Sequence, residues 1–389
     1  MSGLLQVLRS WRDVRRVQRL DPEARRVVFY SEGAAYWVFF KPVVDALTRR
    51  HGQSLCYLTS DPRDPLLRGN DPRILAFYIG DGAAQTYLFR SIEAGVMVMT
   101  MPDLHSLHLL RSLHPVHYVY LHHSMVSTHM IYRRGAFDHF DSVLCVGPHH
   151  EAETREWERL NGLPAKRLFR HGYGPLDALL DAATAHPGPA PADQGVRVLV
   201  APSWGANGLL ETCGAELVEI LLAAGHQVSV RPHPQTRRRT PRVLDDLHGR
   251  FQERPGFALD EDTTSFGPLI RSHLMISDWS GVAMEFAFGL ERPVLFVDVP
   301  RKVNNPEYTR LGAVPLEVAI REEIGAVLAP DRLSEAPAMI QSLWDTADSF
   351  AARARRMRET WIYNLGTSGI RGADAIAELA RSRSGVCAE

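Results

Sequence analysis

The segment with the clearest chemical potential is an apolar run that ends in Ser277 and Asp278 and is followed by Ser280 and Gly281. This pattern predicts a strand that ends there and a helix that opens at Trp279 or Ser280. The first amides of a helix have no intrahelical partner, and the helix dipole favours anions. Gly281 would let a ligand approach the backbone closely. The segment therefore suits a pyrophosphate, although an ordinary capped helix packed on its own domain has the same pattern.

Two further segments place polar side chains after predicted strands. Arg231 and His233, each followed by a proline, come directly after a strand predicted at Gln227–Val230. Ser203 follows a strand predicted at Val196–Ala201 and would contact a nucleotide. Because the carboxyl ends of parallel strands meet at one edge of a sheet, the cation and the histidine could neutralise a transferring phosphate there. A surface position in a loop is the alternative for His233.

These segments belong to a chain in which short β-rich runs alternate with helical stretches from residue 26 onward. That alternation is typical of parallel sheets covered by helices on both faces. The strands predicted in the first half are Val27–Tyr30, Leu55–Thr59, Leu75–Ile79, Val96–Met101, Val116–Leu121, Val143–Val146 and Leu168–His171, and those in the second half are Val196–Ala201, Gln227–Val230, Leu274–Ser277 and Val294–Val297. The predicted fold is α/β and GT-B-like, with two Rossmann-type parallel-sheet domains facing a central cleft.

The predicted domain boundaries follow the local composition. The stretch 186–195 contains too much proline and glycine to join either neighbour, which indicates an interdomain linker. We assign 1–25 to an amphipathic N-terminal helix, 26–185 to a first Rossmann-like domain, 196–348 to a second, and 349–389 to C-terminal helices that pack back across the domains.

Composition argues against several function classes. The 44 lysines and arginines nearly balance 45 acidic residues, so the formal charge of -1 gives no overall attraction for nucleic acid. The four cysteines form no CxxC pair, and the histidines that crowd positions 105–150 lack cysteine or carboxylate partners at ligand spacing. We therefore predict no metal, no cofactor and no disulfide framework. With no apolar run of about 18 residues and no signal-peptide pattern, a cytoplasmic location is expected.

Taken in order, the motifs resemble the C-terminal motifs of a known family. They are Ala201-Pro202-Ser203-Trp204, Arg231-Pro232-His233-Pro234, Ser277-Asp278-Trp279-Ser280, Phe286-Ala287, Arg292-Pro293 and a closing Asn364-Leu365-Gly366-Thr367-Ser368. Together they resemble the CDP-glycerol glycerophosphotransferase family of teichoic-acid and capsule synthesis, and the resemblance covers residues 115–380.

The resemblance extends to a run that ends in His122, His123 and Ser124, after the strand predicted at Val116–Leu121. This run is similar to the family's Trp-His-Gly segment, in which the histidine is the expected general base, and the alignment selects His123. The chain departs from the family pattern where His122 replaces the Trp, Ser124 replaces the Gly, and Gly281 replaces a second Ser. A packed or solvent-facing histidine pair is the alternative.

The family resemblance implies a transferase that moves a glycerol-phosphate or related alditol-phosphate group from a CDP-activated donor. The acceptor would be a hydroxyl of a lipid-linked or oligosaccharide molecule, and CMP would be released. The implied catalytic residues are His123 and His233. The implied donor side, in the second domain, consists of Ser203, Arg231, Ser277, Asp278, Ser280 and Gly281, and the acceptor side, in the first domain, includes Gly33, His122 and Ser124.

Three other functions are compatible with the sequence. A GT-B glycosyltransferase would attack the anomeric carbon of a nucleotide sugar used for surface polysaccharide. A non-hydrolysing nucleotide-sugar epimerase would need a carboxylate pair near the sugar. A catalytically inactive protein of this fold would bind lipid or polymer as a scaffold.

The N-terminal twenty residues predict a basic amphipathic helix. One face carries Leu4, Val7, Leu8, Trp11 and Val14, and the arginines at 9, 12, 16 and 19 lie mostly elsewhere. Such a helix can lie in an anionic membrane interface, here the inner face of the plasma membrane. Docking of the helix on its own domain is the equal alternative.

Overall fold

A computed structural model describes residues 3–106, 109–186, 188–189, 195–262 and 265–384. Contacts within the chain divide it into two compact units, one made of Met1–Met125, Tyr132–Gly174 and Ile362–Glu389, the other of Val126–Ile131 and Pro175–Trp361. The short Val126–Ile131 segment is tied into the second unit, where the Ser127 amide donates to Oε2 of Glu317 at 2.8 Å. The Ser127 hydroxyl accepts from the amide of Leu316 at 2.7 Å.

The first unit is built on a sheet of seven parallel strands in the order β3-β2-β1-β4-β5-β6-β7. The strands are β1 (Val27–Ser31), β2 (Leu55–Thr59), β3 (Ile74–Tyr78), β4 (Val96–Met99), β5 (His117–Leu121), β6 (Ser142–Cys145) and β7 (Arg167–Arg170). The chain runs outward from β1 in one direction and then returns to β4 on the other side. That reversal is the topological switch point of a doubly wound sheet.

The second unit is built on six parallel strands in the order β10-β9-β8-β11-β12-β13. They are β8 (Arg197–Val200), β9 (Gln227–Val230), β10 (Phe257–Leu259), β11 (Leu274–Ser277), β12 (Val294–Val297) and β13 (Gly325–Leu328). Here the switch point lies between β8 and β11.

Helices connect the strands of both sheets. In chain order they are α1 (Gly3–Gln18), α2 (Trp37–Arg50), α3 (Ala83–Ser91), α4 (Thr128–Ile131), α5 (Pro148–Asn161), α6 (Gly174–Ala185), α7 (Leu209–Thr212), α8 (Gly214–Ala223), α9 (Pro234–Arg239), α10 (Pro241–Phe251), α11 (Gly267–Arg271), α12 (Val282–Leu290), α13 (Leu316–Ala319), α14 (Arg321–Ile324), α15 (Ala336–Asp345), α16 (Ala347–Trp361) and α17 (Ser368–Ser384). Short 3-10 turns occupy Pro22–Arg25, Ala34–Tyr36, Pro65–Arg68, Tyr308–Leu311 and Pro330–Glu335.

Strand β1 illustrates why the strands are nearly continuous in hydrophobic residues. Val28 and Tyr30 point to one face of the sheet and join the core that includes Val14 of α1. Val27 and Phe29 point to the other face and join the core formed with α2 and α17. Because side chains alternate along a strand and helices cover both faces, nearly every position of the strand is apolar.

Helix α1 is divided between a docked half and an exposed half. Val14 and Val17 are fully buried against the first unit, with Ser10 and Asp13 beside them. Leu4, Leu5, Val7 and Leu8 are exposed instead, with Leu4 exposed by 69%. The residues of the predicted apolar face therefore lie in two environments, because Val14 faces the core whereas Leu4 and Leu8 face solvent. Among the described residues, no helix is long and apolar enough to cross a membrane.

The predicted fold is confirmed as two Rossmann-like parallel-sheet domains. Sequence reasoning missed β10 and β13, which are three and four residues long and lie at the two margins of the second sheet. The predicted domain boundaries and the predicted cleft stay predictions. Within the predicted linker 186–195, residues 187 and 190–194 lie outside the described residues.

Candidate functional site

The second sheet gathers most of the predicted donor residues at one edge. Strands β9, β8, β11 and β12 are consecutive neighbours and all parallel, so the loops that follow them leave from the same edge. Those loops carry Ser203 and Trp204 after β8, Arg231 and His233 after β9, Asp278, Ser280 and Gly281 after β11, and Arg301 and Lys302 after β12. We call this set the second-sheet edge. It includes the switch point, where open α/β sheets bind ligands.

Asp278 ties the loops on both sides of the switch point together. Its Oδ1 accepts hydrogen bonds from the amides of Ser203 and Trp279, both at 2.6 Å, and its Oδ2 accepts from the amide of Leu209 at 3.2 Å. Its side chain is buried, with 1% exposed. Beside it, the buried Ser277 hydroxyl donates to the carbonyl of Ala201 at 2.8 Å. These contacts occupy Ser277 and Asp278 with the backbone of the edge, which they hold in shape.

The helix start after β11 offers unpaired amides. Helix α12 begins at Val282, later than the predicted Trp279 or Ser280, with Gly281 as its N-cap and no side chain capping it. The first amide with a partner in this turn is that of Ala283, which donates to the carbonyl of Ser280 at 3.2 Å. The amides that follow it are bonded as well. Among the described residues, the amides of Ser280, Gly281 and Val282 find no acceptor. Such amides are suited to an anion.

Arg231 and His233 are both positioned by neighbouring groups. The Arg231 Nε donates to Oδ2 of Asp260 at 2.6 Å and its Nη2 donates to the carbonyl of Ser265 at 2.8 Å. Its Nη1 makes no hydrogen bond with any described residue. The Nδ1 of His233 accepts from the amide of Gln235 at 3.1 Å and caps α9. This bond leaves the proton of a neutral His233 on Nε2.

Trp204 and Lys302 form a contact that sequence reasoning missed. The Lys302 Nζ lies 3.3 Å from the centre of the Trp204 ring and donates to the Trp204 carbonyl at 3.0 Å. The guanidinium of Arg239 lies 4.8 Å from the same ring centre. Burial lowers the pKa of Lys302 to about 8. The one sequence feature that could have indicated this contact is the position of Arg301 and Lys302 just beyond the predicted strand Val294–Val297.

Trp279 anchors the other side of this edge. Its Nε1 donates to the carbonyl of Val299 at 2.8 Å, and the guanidinium of Arg321 lies 4.1 Å from the centre of its ring. Arg321 is in turn paired with Asp298 at 2.6 Å. Arg301 lies 5.6 Å from the same ring. The loop after β12 is thereby held by aromatic and cationic contacts.

His123 occupies an aromatic pocket after β5 in the first unit. Its Nδ1 lies 3.2 Å from the Tyr120 hydroxyl and its Nε2 lies 3.4 Å from the Tyr132 hydroxyl. The rings of Tyr36 and Phe39 approach it edge-on at 5.9 and 6.0 Å. Burial lowers the pKa of His123 to about 4. The imidazole is therefore neutral near pH 7, which is the form that can accept a proton.

His122 lies in the interior and Ser124 is half-buried. The His122 ring stacks on that of His150 at 3.7 Å, and its buried Nε2 has no hydrogen-bond partner among the described residues. Burial holds the pKa of His122 well below its usual range. The structure thus separates the pair, with His122 packed inside and His123 closer to the surface. Among the described residues, no group of histidines, cysteines and carboxylates could hold a metal ion.

Gly33 lies beyond β1 with an extended backbone, and its amide and carbonyl both bond to the Ser31 hydroxyl. A Cβ added there would meet only Asp61, at 3.8 Å. The position therefore has room for a side chain and does not require glycine. It provides no specific support for an acceptor contact.

Solved structures share the two-sheet architecture. The UDP-GlcNAc 2-epimerase from Methanocaldococcus jannaschii, in complex with UDP-GlcNAc and UDP, aligns with a TM-score of 0.56 at 12% identity over 91% of this chain and 99% of that one. The UDP-GlcNAc 2-epimerase from Neisseria meningitidis bound to UDP-GlcNAc aligns with a TM-score of 0.55, at 12% identity over 90% of this chain and 99% of that one. A glycosyltransferase from Rickettsia africae aligns at 0.54, with 10% identity over 91% and 98%.

At these identities the likeness shows the fold alone, and that fold is GT-B. No protein-family model matches the sequence, and no curated protein matches it. The resemblance to the CDP-glycerol glycerophosphotransferase family therefore rests on the motifs themselves.

Proposed function

We propose that this protein is a GT-B transferase that uses a nucleotide-diphosphate-activated donor, and that the donor is a nucleotide sugar. The observation that carries the proposal is the second-sheet edge. It combines the unpaired amides that lead into α12 with the cationic side chains of two loops, Arg231 after β9 and Arg301 and Lys302 after β12. Solved proteins of the same fold bind UDP-GlcNAc, which supports a nucleotide sugar as the donor.

In this proposal the second unit binds the donor diphosphate. The amides of Ser280 and Gly281 and the Nη1 of Arg231 donate to phosphate oxygens, and His233 donates from Nε2. Asp278 and Ser277 keep these groups in place through the backbone. Charge that develops on the leaving diphosphate is thus met by donors that are already oriented.

His123 of the first unit is proposed as the general base. It takes the proton of the acceptor hydroxyl, and that oxygen forms a bond to the anomeric carbon of the sugar. The bond from that carbon to the diphosphate oxygen breaks, and the nucleoside diphosphate leaves with the electron pair. A pKa of about 4 makes His123 a weak base, so its contribution comes from position more than from basicity.

The motif resemblance favours a second candidate, transfer of a glycerol-phosphate or related alditol-phosphate from a CDP-activated donor in teichoic-acid or capsule synthesis. The same residues would serve, but the acceptor oxygen would attack the β-phosphorus and CMP would leave. An epimerase is less well supported. Asp278 at the second-sheet edge already accepts from three amides, and the nearby Asp260 is paired with Arg231, so both carboxylates are engaged in other contacts.

The released nucleotide distinguishes these functions. The protein would be incubated with UDP- and CDP-activated sugars and with CDP-glycerol and CDP-ribitol, each with oligosaccharide and lipid-linked acceptors. Release of a nucleoside diphosphate with a new glycoside supports the proposal. Release of CMP with a new phosphodiester supports the second candidate, an altered sugar without transfer supports an epimerase, and no turnover with any donor contradicts all three in favour of a scaffold.

We also propose that α1 brings the protein to an anionic membrane surface, at the inner face of the plasma membrane if the acceptor is lipid-linked. The exposed face of the helix carries Leu4, Leu5 and Leu8 in its first half. The same face continues with Arg12, Arg15 and Arg16 in the second half, beside Trp11, and with Arg19 just beyond the end of the helix. The leucines at the N-terminal end of the helix suit insertion into the membrane interface, and the arginines of the following turns suit attraction to lipid phosphates.

A further inference from the structure

The Lys302 ammonium is in an unusual position for a charged group. It is half-buried, and no described carboxylate lies within ion-pair distance of it. Its one hydrogen bond is to a backbone carbonyl, and one side faces the Trp204 ring. An ammonium has three donors, so donors are left for another partner. A partly desolvated cation with spare donors is most stable when an anion completes its surroundings.

The charged groups around Lys302 explain why a ligand anion fits there better than a protein carboxylate. Asp278 and Glu211 both favour the charged form of Lys302, whereas Arg239 opposes it. Asp278 is committed to three amides. Glu211 accepts from the hydroxyl of Thr240 at 3.0 Å. Both acids act on Lys302 from a distance, and neither forms a direct ion pair with it.

Trp204 gives the site a second property. Its ring is approached by Lys302 at 3.3 Å and by Arg239 at 4.8 Å, and the ring of His233 lies 6.1 Å away. The Trp204 ring, on the loop after β8, is therefore contacted by two cations, Lys302 from the loop after β12 and Arg239 from the end of α9. Cations held by an aromatic ring stay positioned without an acidic partner that would compete with a phosphate.

We propose that Lys302, held against Trp204, is a donor-binding residue that contacts the diphosphate of a nucleoside diphosphate group. This inference rests on the proposed function, because it assigns a ligand contact within the second-sheet edge. It adds a residue outside every motif that the sequence resemblance covers. Trp204 acts as the positioning residue for the ammonium.

The test is calorimetric titration of UDP, CDP and pyrophosphate into the full-length protein at pH 7. The chain has three lysines, Lys41, Lys166 and Lys302, so the ammonium can be removed individually. Lys302→Met should weaken binding of all three ligands by about ten- to a hundredfold, because a charge-assisted hydrogen bond is lost. Lys302→Arg should retain most of the affinity. Lys41→Met, which changes an exposed lysine paired with Asp45 in α2, is the matched control and should bind like the parent.

The pH profile separates a ligand contact from a structural role. Because the pKa of Lys302 is about 8, the parent should lose affinity for CDP several-fold between pH 7 and pH 9, a range in which the cytosine of CDP does not ionise. The Lys302→Arg variant should not lose affinity over this range. Equal affinity of parent and Lys302→Met, or the same pH profile for parent and Lys302→Arg, would overturn the inference and leave the proposed function standing. If the parent bound no nucleoside diphosphate at all, the proposed function itself would fall.

Discussion

The two sheet edges differ in the charge of the groups that they present. The second-sheet edge presents the cations Arg231, Arg301 and Lys302 together with unpaired amides. After β5 the first sheet presents an imidazole among tyrosines, and that imidazole is neutral because burial lowers its pKa. A cationic edge suits a diphosphate, whereas an uncharged one suits a hydroxyl that must lose a proton. Two sheets with similar topology can therefore present edges with different chemistry, one suited to binding an anion and the other to accepting a proton.

The strongest test of this contrast is His123→Ala. If the first edge transfers a proton and the second holds the donor, turnover should fall by about two to four orders of magnitude while the affinity for a nucleoside diphosphate stays near that of the parent. Steady-state kinetics with calorimetric titration of UDP or CDP would measure both quantities. A variant that kept its turnover but lost nucleotide affinity would reverse the two roles.

His122→Ala is the companion variant, and its expected effect is of another kind. His122 stacks inside the first unit on His150, so its loss should leave a cavity and lower the free energy of unfolding by about 2 kcal/mol. Turnover at a temperature where the variant is folded should change little. If His122→Ala proved the more damaging change to turnover, the assignment of the base would be shifted by one residue.

Asp278→Ala tests whether the cationic edge is assembled around this buried carboxylate. Three amides would lose their acceptor, so we expect the free energy of unfolding to fall by about 3 kcal/mol. Ser277→Ala removes a single hydrogen bond and should cost about 1 kcal/mol. Urea unfolding followed by circular dichroism measures both. Unchanged stability together with lost nucleotide binding would instead make Asp278 a direct ligand contact.

The sequence was sufficient for the fold and for the motifs because both depend on local patterns. Buried parallel strands are apolar at nearly every position, and polar residues follow them at a common edge, so the strands and the candidate residues could be predicted together. From the sequence, Ser277, Asp278 and Ser280 were equally good candidates for contacts with the donor. Only their contacts separate them, because Ser277 and Asp278 are buried against backbone atoms and the amide of Ser280 is unpaired.

Other features depended on contacts that no local pattern encodes. The approach of Lys302 to Trp204 joins residues 98 apart in the chain. The division of α1 into docked and exposed halves follows from how much of the helix the first unit can cover, and the sequence periodicity is the same in both halves. Strands β10 and β13 are too short to give an alternating pattern and are recognisable only by pairing with β9 and β12.

A buried neutral histidine should make the folding stability of the first unit depend on pH in the acid range. His171 is buried in the first unit, and burial lowers its pKa to about 4. Below an unfolded pKa of about 6.5 the unfolded chain binds a proton that the folded chain refuses, so stability is full above that pH and is lost as the pH falls toward 4. Between pH 7.5 and pH 5 this histidine should account for about 2 kcal/mol of lost stability.

The His171→Gln variant isolates that contribution. Urea unfolding at pH 7.5 and pH 5 gives the loss of stability for parent and variant, and the variant should lose about 2 kcal/mol less. The comparison is between two slopes, so it holds even if the substitution lowers stability at both pH values. Equal losses in the two proteins would mean that His171 takes up its proton in the folded state as easily as in the unfolded one.

The smallest expected effect concerns the exposed arginines of the first unit, which lie on α1. If they serve a membrane surface and take no part in donor binding, Arg15→Gln should weaken binding to phosphatidylglycerol-containing vesicles by about fivefold, because each arginine near an anionic surface contributes about 1 kcal/mol. Nucleotide affinity should be unchanged. Arg250→Gln, on α10 of the second unit, is the matched control and should bind vesicles like the parent. Sedimentation with anionic and with pure phosphatidylcholine vesicles, at low and high salt, measures the difference, and salt should weaken only the binding to anionic vesicles.

Leu8→Ser should reduce binding further by removing an exposed leucine from the tip. If both variants bound anionic vesicles like the parent, or if light scattering showed that the exposed leucines join two copies of the chain, the membrane role of α1 would have to be abandoned.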